Sequence, residues 1–163
     1  REIRRGGQVF FLYNDVASIE HMYNRLTELI PELRIAIAHG QMPENELEQT
    51  IKDFVHQRYN LLLCSTIIET GIDIPNANTI LIDRADHFGL AELYQLRGRV
   101  GRWNRLAYAY FLVKKFSNLP ELSRKRLTIE HARSLFLVHV GDYLGVRFGA
   151  LLEVIPHLSP VRR

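Results

Sequence analysis

Short apolar runs alternate along this chain with longer stretches whose apolar positions recur every three to four residues. VFFLY at 9–13 follows Gly6 and Gly7 and reads as a buried strand. Asn14 and Asp15 then supply a turn and a helix cap. From 16 to 30, Val16, Ile19, Met22, Tyr23, Leu26, Leu29 and Ile30 fall on one helical face, and Pro31 ends it. RIAIA at 34–38 predicts a second strand, His39 and Gly40 a turn, and Pro43 the first turn of a helix running to about Val55. NLLLCS at 60–65, TILID at 79–83 and LAYAYFLV at 106–113 predict three more strands, with a helix of about two turns between Gly89 and Leu96. Strands this short, separated by helices, imply an α/β fold with a parallel sheet covered on both faces. The last fifty residues change character. NLPELSRKRLTIEHARSLFLVHV at 118–140 reads as a helix started by Pro120, after which Gly141, Gly145 and Gly149 punctuate an apolar stretch ending in Pro156 and Pro160. The expected division is a sheet domain over 1–116 and a helical appendage over 117–163.

Composition narrows the class. With 163 residues and 47% apolar content the chain has material for one domain core, and 24% charged residues is too few for a disordered segment. The expectation is a soluble intracellular domain: no apolar run has the eighteen or so residues of a membrane span, and REIRRGGQ is no signal peptide. The single Cys64 excludes an intramolecular disulfide and a cysteine-based zinc cluster, in keeping with a reducing cytosol. The net charge of +3 conceals a division, because residues 1–96 carry 8 Lys/Arg against 14 Asp/Glu while 97–163 carry 13 against 4. Of the basic residues 17 are Arg, the better fork for phosphate or carboxylate. A basic half points to a polyanionic partner, nucleotide or nucleic acid, or else to a solvated face.

Three segments fall at the carboxyl ends of predicted strands, where open α/β sheets bind their ligands. In AHGQM at 38–42 a glycine before a helix lets a backbone come close to a phosphate; an ordinary turn needing positive φ would look the same. In LLLCSTIIETGIDIPNANTI at 61–80 the hydroxyls of Ser65 and Thr66 leave a buried strand, followed by Gly71 and Asp73. Such hydroxyls can hold a phosphate backbone and such a carboxylate a ribose hydroxyl, or they can cap a helix and close a turn. In QLRGRVGRWNR at 95–105 four arginines lie within nine residues, interleaved with Gly98 and Gly101. Guanidinium groups aimed at one place suit a triphosphate whose charge shifts as the terminal phosphoryl leaves. Gln-x-x-Gly-Arg-x-Gly-Arg fixes five residues, a pattern expected by chance at about one start position in three million, so a plain solvated basic loop accounts for it poorly.

Other features carry less. Gly98 and Gly101 end a helix, so no dinucleotide fingerprint is present. The seven histidines show no ligand spacing, and no metal site is expected. Glu44, Glu46 and Glu48 read as first-turn acids and a solvated face, Cys64 as a small buried hydrophobe, and Trp103, among arginines, as a residue that packs against a partner domain rather than one that stacks on a base or an Arg.

Together, HGQM, STIIETGIDIP and QLRGRVGR, in this order and spacing, resemble the second RecA-like lobe of the superfamily 2 helicases. IIETGIDIPNANTILIDRADHFGLAELYQLRGRVGR at 67–102 and GGQVFFLYNDV at 6–16 resemble the family of bacterial transcription-repair coupling factors nearly throughout, within a likeness covering about residues 1–128. The branch-migrating duplex-DNA translocases of fork repair are similar in the same motifs and match less well around DRADHFG at 83–89. The resemblance implies a RecA-like parallel sheet with helices on both faces, followed by a helical appendage. It implies that Arg102 is the arginine finger toward the γ-phosphate and Arg99 its companion, with Gln95, Gly71 and Asp73 on the nucleotide side. It also implies that His39, Gly40, Ser65 and Thr66 touch the DNA backbone.

The implied cofactor is ATP with Mg2+, and the implied partners are double-stranded DNA, a first RecA-like lobe, RNA polymerase and a nucleotide-excision repair protein, in a bacterial cytoplasm with no membrane contact. The 163 residues contain no Gly-x-x-x-x-Gly-Lys-Ser/Thr loop and no Asp-Glu strand end for magnesium. The expectation is half of an ATPase site, inactive unaided. After KRL at 125–127 the resemblance implies a translocation hairpin with an Arg-Gly-Ala-Gly stretch, whereas VGDYLGVRFGALLEVIP at 140–156 has only the glycines. A non-catalytic nucleic-acid-binding module is the alternative of a different class.

Overall fold

In the computed structural model, which describes residues 2–65, 74, 76–100, 107–113, 116–133 and 137–142, each of the five short apolar runs becomes a strand. These are β1 (Gln8–Leu12), β2 (Ile35–Ala38), β3 (Leu61–Cys64), β4 (Ala77–Ile82) and β5 (Tyr108–Val113), each within two residues of its expected bounds. A sixth, β6 (Leu137–Asp142), joins them, and the sheet order is β2-β3-β1-β4-β5-β6 with every pairing parallel. The chain moves from the central β1 out to β2 on one side, returns through β3, then crosses to β4 and onward. The order therefore reverses at the middle of the sheet, the position where such sheets bind ligands beyond their carboxyl ends.

Strand alternation sorts the core into two layers. Phe10 and Leu12 share a face with Leu62, Cys64, Ile80, Ile82, Ala109 and Phe111, and this layer packs under Phe54, Leu93 and Leu127. Those three residues belong to α2 (Glu44–Val55), α3 (Leu90–Arg97) and α4 (Glu121–Arg133) respectively. Val9 and Phe11 point the other way with Leu61, Leu63 and Ile35, beneath Ile19, Met22 and Leu26 of α1 (Ile19–Leu29). Phe11 and Phe111 are completely buried; burying a phenylalanine of this kind contributes about 1.5–3 kcal/mol.

Helix ends follow local chemistry. Pro43 occupies the N-cap of α2 in an extended conformation, with Glu44 and Glu46 in the first turn where the helix dipole favours them. At its other end the Gln57 N–H donates to the Phe54 carbonyl at 2.9 Å and the Arg58 N–H to that of Asp53 at 3.0 Å. That paired closure puts Gln57 at φ 61°. The N-terminus of α3 is closed by the Glu92 carboxylate, which accepts from the Gly89 N–H at 2.7 Å.

The tail corrects one expectation. Helix α4 ends at Arg133, and residues 137–140, expected to continue it, lie instead in β6 alongside β5. LFLVHV at 135–140 is a run rich in β-branched and aromatic residues, and the open edge of β5 offers unpaired backbone groups that such a run satisfies better than another helical turn would. The region after 116 is thus not helical alone; residues 143–163 lie outside the described part.

The amino ends of the strands hold a buried polar network. Gln8 Nε2 donates to the carbonyls of Phe54 at 2.6 Å and Tyr59 at 2.8 Å, and Asn60 Oδ1 accepts from the Arg34 N–H at 2.9 Å. Thr79 Oγ1 donates to Glu2 Oε2 at 2.8 Å; Arg5 pairs with the same carboxylate and lies 5.3 Å from the centre of the Tyr108 ring. A Cβ at Gly7 would come within 1.6 Å of Glu2 Oε1, so any other residue there would have to displace this carboxylate.

Candidate functional site

The carboxyl ends of β2 and β3 lie side by side and bring three of the expected residues together. His39 and Gly40 follow β2 directly, Ser65 follows β3, and the Ser65 N–H donates to the Ala38 carbonyl at 3.1 Å. His39 is half-buried and Gly40 exposed, while Ser65 is buried. The Gln41 N–H donates to His39 Nδ1 at 3.3 Å. With Nδ1 accepting, the neutral ring carries its proton on Nε2, which makes that nitrogen a donor. Of the two readings the sequence left open for Gly40, one is removed: its φ is not positive, and a Cβ there would meet nothing within 4 Å. Neither backbone conformation nor packing among the described residues requires a glycine at 40; close approach of something outside the chain remains as a reason.

Gln95 and Arg99 come together at the end of α3. Gln95 is an exposed residue of its last turn and Arg99 a half-buried residue just beyond. Leu93 and Leu96, on the other side of the helix, pack into the core and fix its rotation. Gly98 closes the helix with helical φ −64°, and the Arg99 N–H donates to the Leu96 carbonyl at 3.1 Å. Arg99 therefore follows the helix end with a fixed backbone and a half-buried side chain that carries five guanidinium donors. Thr66, Gly71, Asp73, Arg102 and Trp103 lie outside the described residues.

Burial pushes the Cys64 thiol up to about 12, so it stays protonated as the small core hydrophobe the sequence suggested. Glu44, Glu46 and Glu48 are exposed, with Lys52 paired to Glu48 at 2.8 Å, which is the solvated face expected of them.

One group at this edge escaped the sequence reading. Arg84, at the turn after β4, adopts φ 48° and ψ 49° without being a glycine. Its Nη2 donates to His87 Nε2 at 2.7 Å, both side chains being exposed. The preceding Asp83 is buried, and burial raises its carboxyl above the ordinary aspartate value against the opposing hydrogen bond from the Arg84 backbone. Helix α4 closes on the same turn, with Ser123 Oγ and Arg126 Nη2 donating to the Asp86 carbonyl at 3.4 and 3.3 Å. No local sequence signal marks a left-handed arginine.

Among the described residues the donors available here are N–H and O–H groups at strand ends and the Arg99 guanidinium beyond a helix end, a set suited to anionic oxygens. Among the described residues no three His, Cys, Asp or Glu side chains gather to hold a metal, and no helix is long and apolar enough to cross a membrane. The chemistry therefore fits the phosphate part of ATP and leaves the Mg2+ ligands to be supplied by residues outside this set.

Sheet order, two-sided helical cover and the arginine-bearing helix end define a RecA-like helicase C-terminal lobe, and the fold class expected from the motifs holds for the described sheet. Residues 1–104 match the family described as helicase conserved C-terminal domain, and the chain belongs to that family. It is similar to the transcription-repair-coupling factors of Haemophilus influenzae, 61% identical over 127 residues, and of Escherichia coli, 62% identical over 127 residues. Each match covers 78% of this chain and 11% of the relative, so the chain spans about a tenth of the length of these curated relatives. Among solved structures, RecG bound to a three-way DNA junction superposes with TM-score 0.71 at 35% identity, covering 82% of this chain and 18% of that one. The C-terminal domain of the DEAD-box protein Dbp5 superposes with TM-score 0.62 at 20% identity, covering 82% and 74%, a likeness of fold alone.

Proposed function

We propose that this chain is the second motor lobe of an ATP-dependent double-stranded-DNA translocase acting in transcription-coupled repair. The observation that carries the reading is the presence of Gln95 and Arg99 at one helix end together with His39, Gly40 and Ser65 at adjacent strand ends, in a chain 61% identical over 127 residues to a coupling factor. The 61–62% identity to those relatives over 127 residues also supports this pathway.

The site is divided across a cleft between two lobes. When bound, ATP with Mg2+ supplies a γ-phosphoryl group whose transfer spreads negative charge over its oxygens. Arg99 and Arg102 would approach that charge from this lobe, with Gln95, Gly71 and Asp73 completing the nucleotide side. Their engagement draws the lobes together, and its loss lets them part. His39 Nε2, the Gly40 backbone and the hydroxyls of Ser65 and Thr66 hold phosphates of one DNA strand without reading bases. Alternating closure then changes the grip of this lobe relative to the first, which moves the pair along duplex DNA. Because half the site lies elsewhere, the chain alone hydrolyses no ATP. RNA polymerase and a nucleotide-excision repair protein, the partners this pathway implies, would meet other parts of the protein.

The test is Arg102 in the intact protein. Arg102→Ala lowers DNA-stimulated turnover by about 10³–10⁵-fold, and Arg102→Lys does not restore it, because a finger needs the planar fork as well as the charge. Turnover indifferent to Arg102→Ala refutes the finger. Full function with Arg102→Lys favours a module that only binds phosphate.

A further inference from the structure

Resting on the DNA-motor reading above, we propose that Arg84, braced by His87, is an additional contact of this lobe with a DNA phosphate, continuing the line of His39, Gly40 and Ser65 across the sheet. The first support is position. The Asp83 N–H donates to the Leu12 carbonyl at 2.9 Å and the Tyr13 N–H to that of Cys64 at 2.7 Å, so the turn bearing Arg84 stands at the same carboxyl edge as Ser65, with only β1 between their strands. From β2 to β4 is three strand spacings, about 14 Å, which spans roughly four nucleotides at 3.4 Å each along one strand.

The second support is conformation. Two described non-glycine residues have positive φ, Gln57 and Arg84. Gln57 has a local cause, the paired closure at the end of α2. Arg84 follows a strand, where glycine would take the same backbone without strain, so retaining a long cationic side chain there points to a use for it. The third is orientation. His87 Nε2 accepts one guanidinium N–H at 2.7 Å, and although the charge of Arg84 acts on the buried Asp83 carboxyl, no carboxylate among the described residues comes within ion-pair distance of the exposed guanidinium. Asp86 lies instead 3.5 Å from the His87 nitrogen, and its carbonyl is held by Ser123 and Arg126, which fixes the turn from beneath. An exposed, braced guanidinium at an edge of backbone-contacting groups recognises phosphate.

The experiment measures binding of the intact protein to a short duplex over a series of salt concentrations. Arg84→Gln weakens binding and reduces the slope of log affinity against log salt by about 0.9, the loss of one neutralised phosphate. Arg84→Lys restores the slope. Arg84→Gly weakens binding equally while the melting temperature does not fall, which separates lost contact from lost fold. A slope unchanged in Arg84→Gln overturns the proposal. Measured beside it, His39→Ala distinguishes the two levels: if it weakens binding while Arg84→Gln keeps the wild-type slope, the Arg84 contact alone is refuted. If neither variant changes DNA binding, the DNA-motor reading fails with it.

Discussion

At the amino ends of the strands Gln8, Asn60 and Thr79 are buried, and Gln8 Nε2, Asn60 Oδ1 and Thr79 Oγ1 are directed inward, to carbonyls, a backbone N–H and the Glu2 carboxylate. At the carboxyl ends of the same strands Gly40 and Arg84 are exposed, and neither Gly40 nor the left-handed Arg84 is demanded by the local fold. Similar residue types thus serve opposite purposes at ends separated only by the length of a strand. Where a polar group is buried and partnered, its removal leaves the partner unsatisfied and weakens the fold. Where it is exposed and the backbone would accept another residue, its removal leaves the fold intact and takes away whatever it touches outside. Stability and function should therefore separate along the strand direction.

Arg99→Ala tests the proposed site, at the end of α3, with the largest expected effect. In the intact protein it lowers DNA-stimulated turnover by about 10³-fold, equivalent to about 4 kcal/mol of barrier, while thermal unfolding is unchanged. A large fall in melting temperature would break the division by showing that Arg99 also holds the end of α3. Gln8→Ala tests the other end. It takes the side-chain donor from the Tyr59 carbonyl, leaves the Phe54 carbonyl with the Gln57 N–H alone, and destabilises the protein by about 1–3 kcal/mol, read by denaturant unfolding, with turnover per folded molecule retained. Loss of turnover at full stability would show that the amino end reaches the site.

The two ends also differed in how far they could be read from sequence. Five strands and the helices covering them were legible because each is a local pattern: an apolar run such as VFFLY, or the three-four spacing of Ile19, Met22 and Leu26. Gln95 and Arg99 were legible for the same reason, being close neighbours within one motif. The amino-end network was not, since Thr79 meets Glu2 across 77 positions and Gln8 meets Phe54 across 46, and nothing local announces either contact. β6 was missed because helical spacing was carried through LFLVHV, where the open edge of β5 decides the outcome. Arg84 was missed because left-handed backbone is marked by glycine in sequence, and here the chain uses arginine. At Gly40 the structure removed the positive-φ explanation, and with it the reading in which that glycine serves only the turn.

Asp83 sharpens the comparison with the smallest effect, because it is a buried polar residue at the carboxyl end, where the proposed site lies. Burial raises its carboxyl above the ordinary aspartate value, and the hydrogen bond from the Arg84 backbone only partly opposes this. The folded state therefore holds a proton more readily than the unfolded chain. Stability falls as pH rises through the interval between the two values, and the whole penalty of an ionised buried carboxylate is present above the raised one. Asp83→Asn keeps an oxygen able to accept from the Arg84 N–H and removes the charge. It is expected to raise the melting temperature at pH 7, with an advantage that shrinks as pH is lowered through the raised value and disappears near the ordinary one. Exposed Glu48, lowered by its hydrogen bond with Lys52, has the opposite sign: its contribution is present above the ordinary value and lost as pH falls. If Asp83→Asn instead lowers the melting temperature at pH 7, the carboxylate supports the turn more than its burial penalises it, and Asp83 belongs with Gln8 and Thr79. If the melting temperature rises and DNA binding weakens, the carboxylate is kept at this edge against the interest of stability, which is the behaviour the carboxyl end should show and the amino end should not.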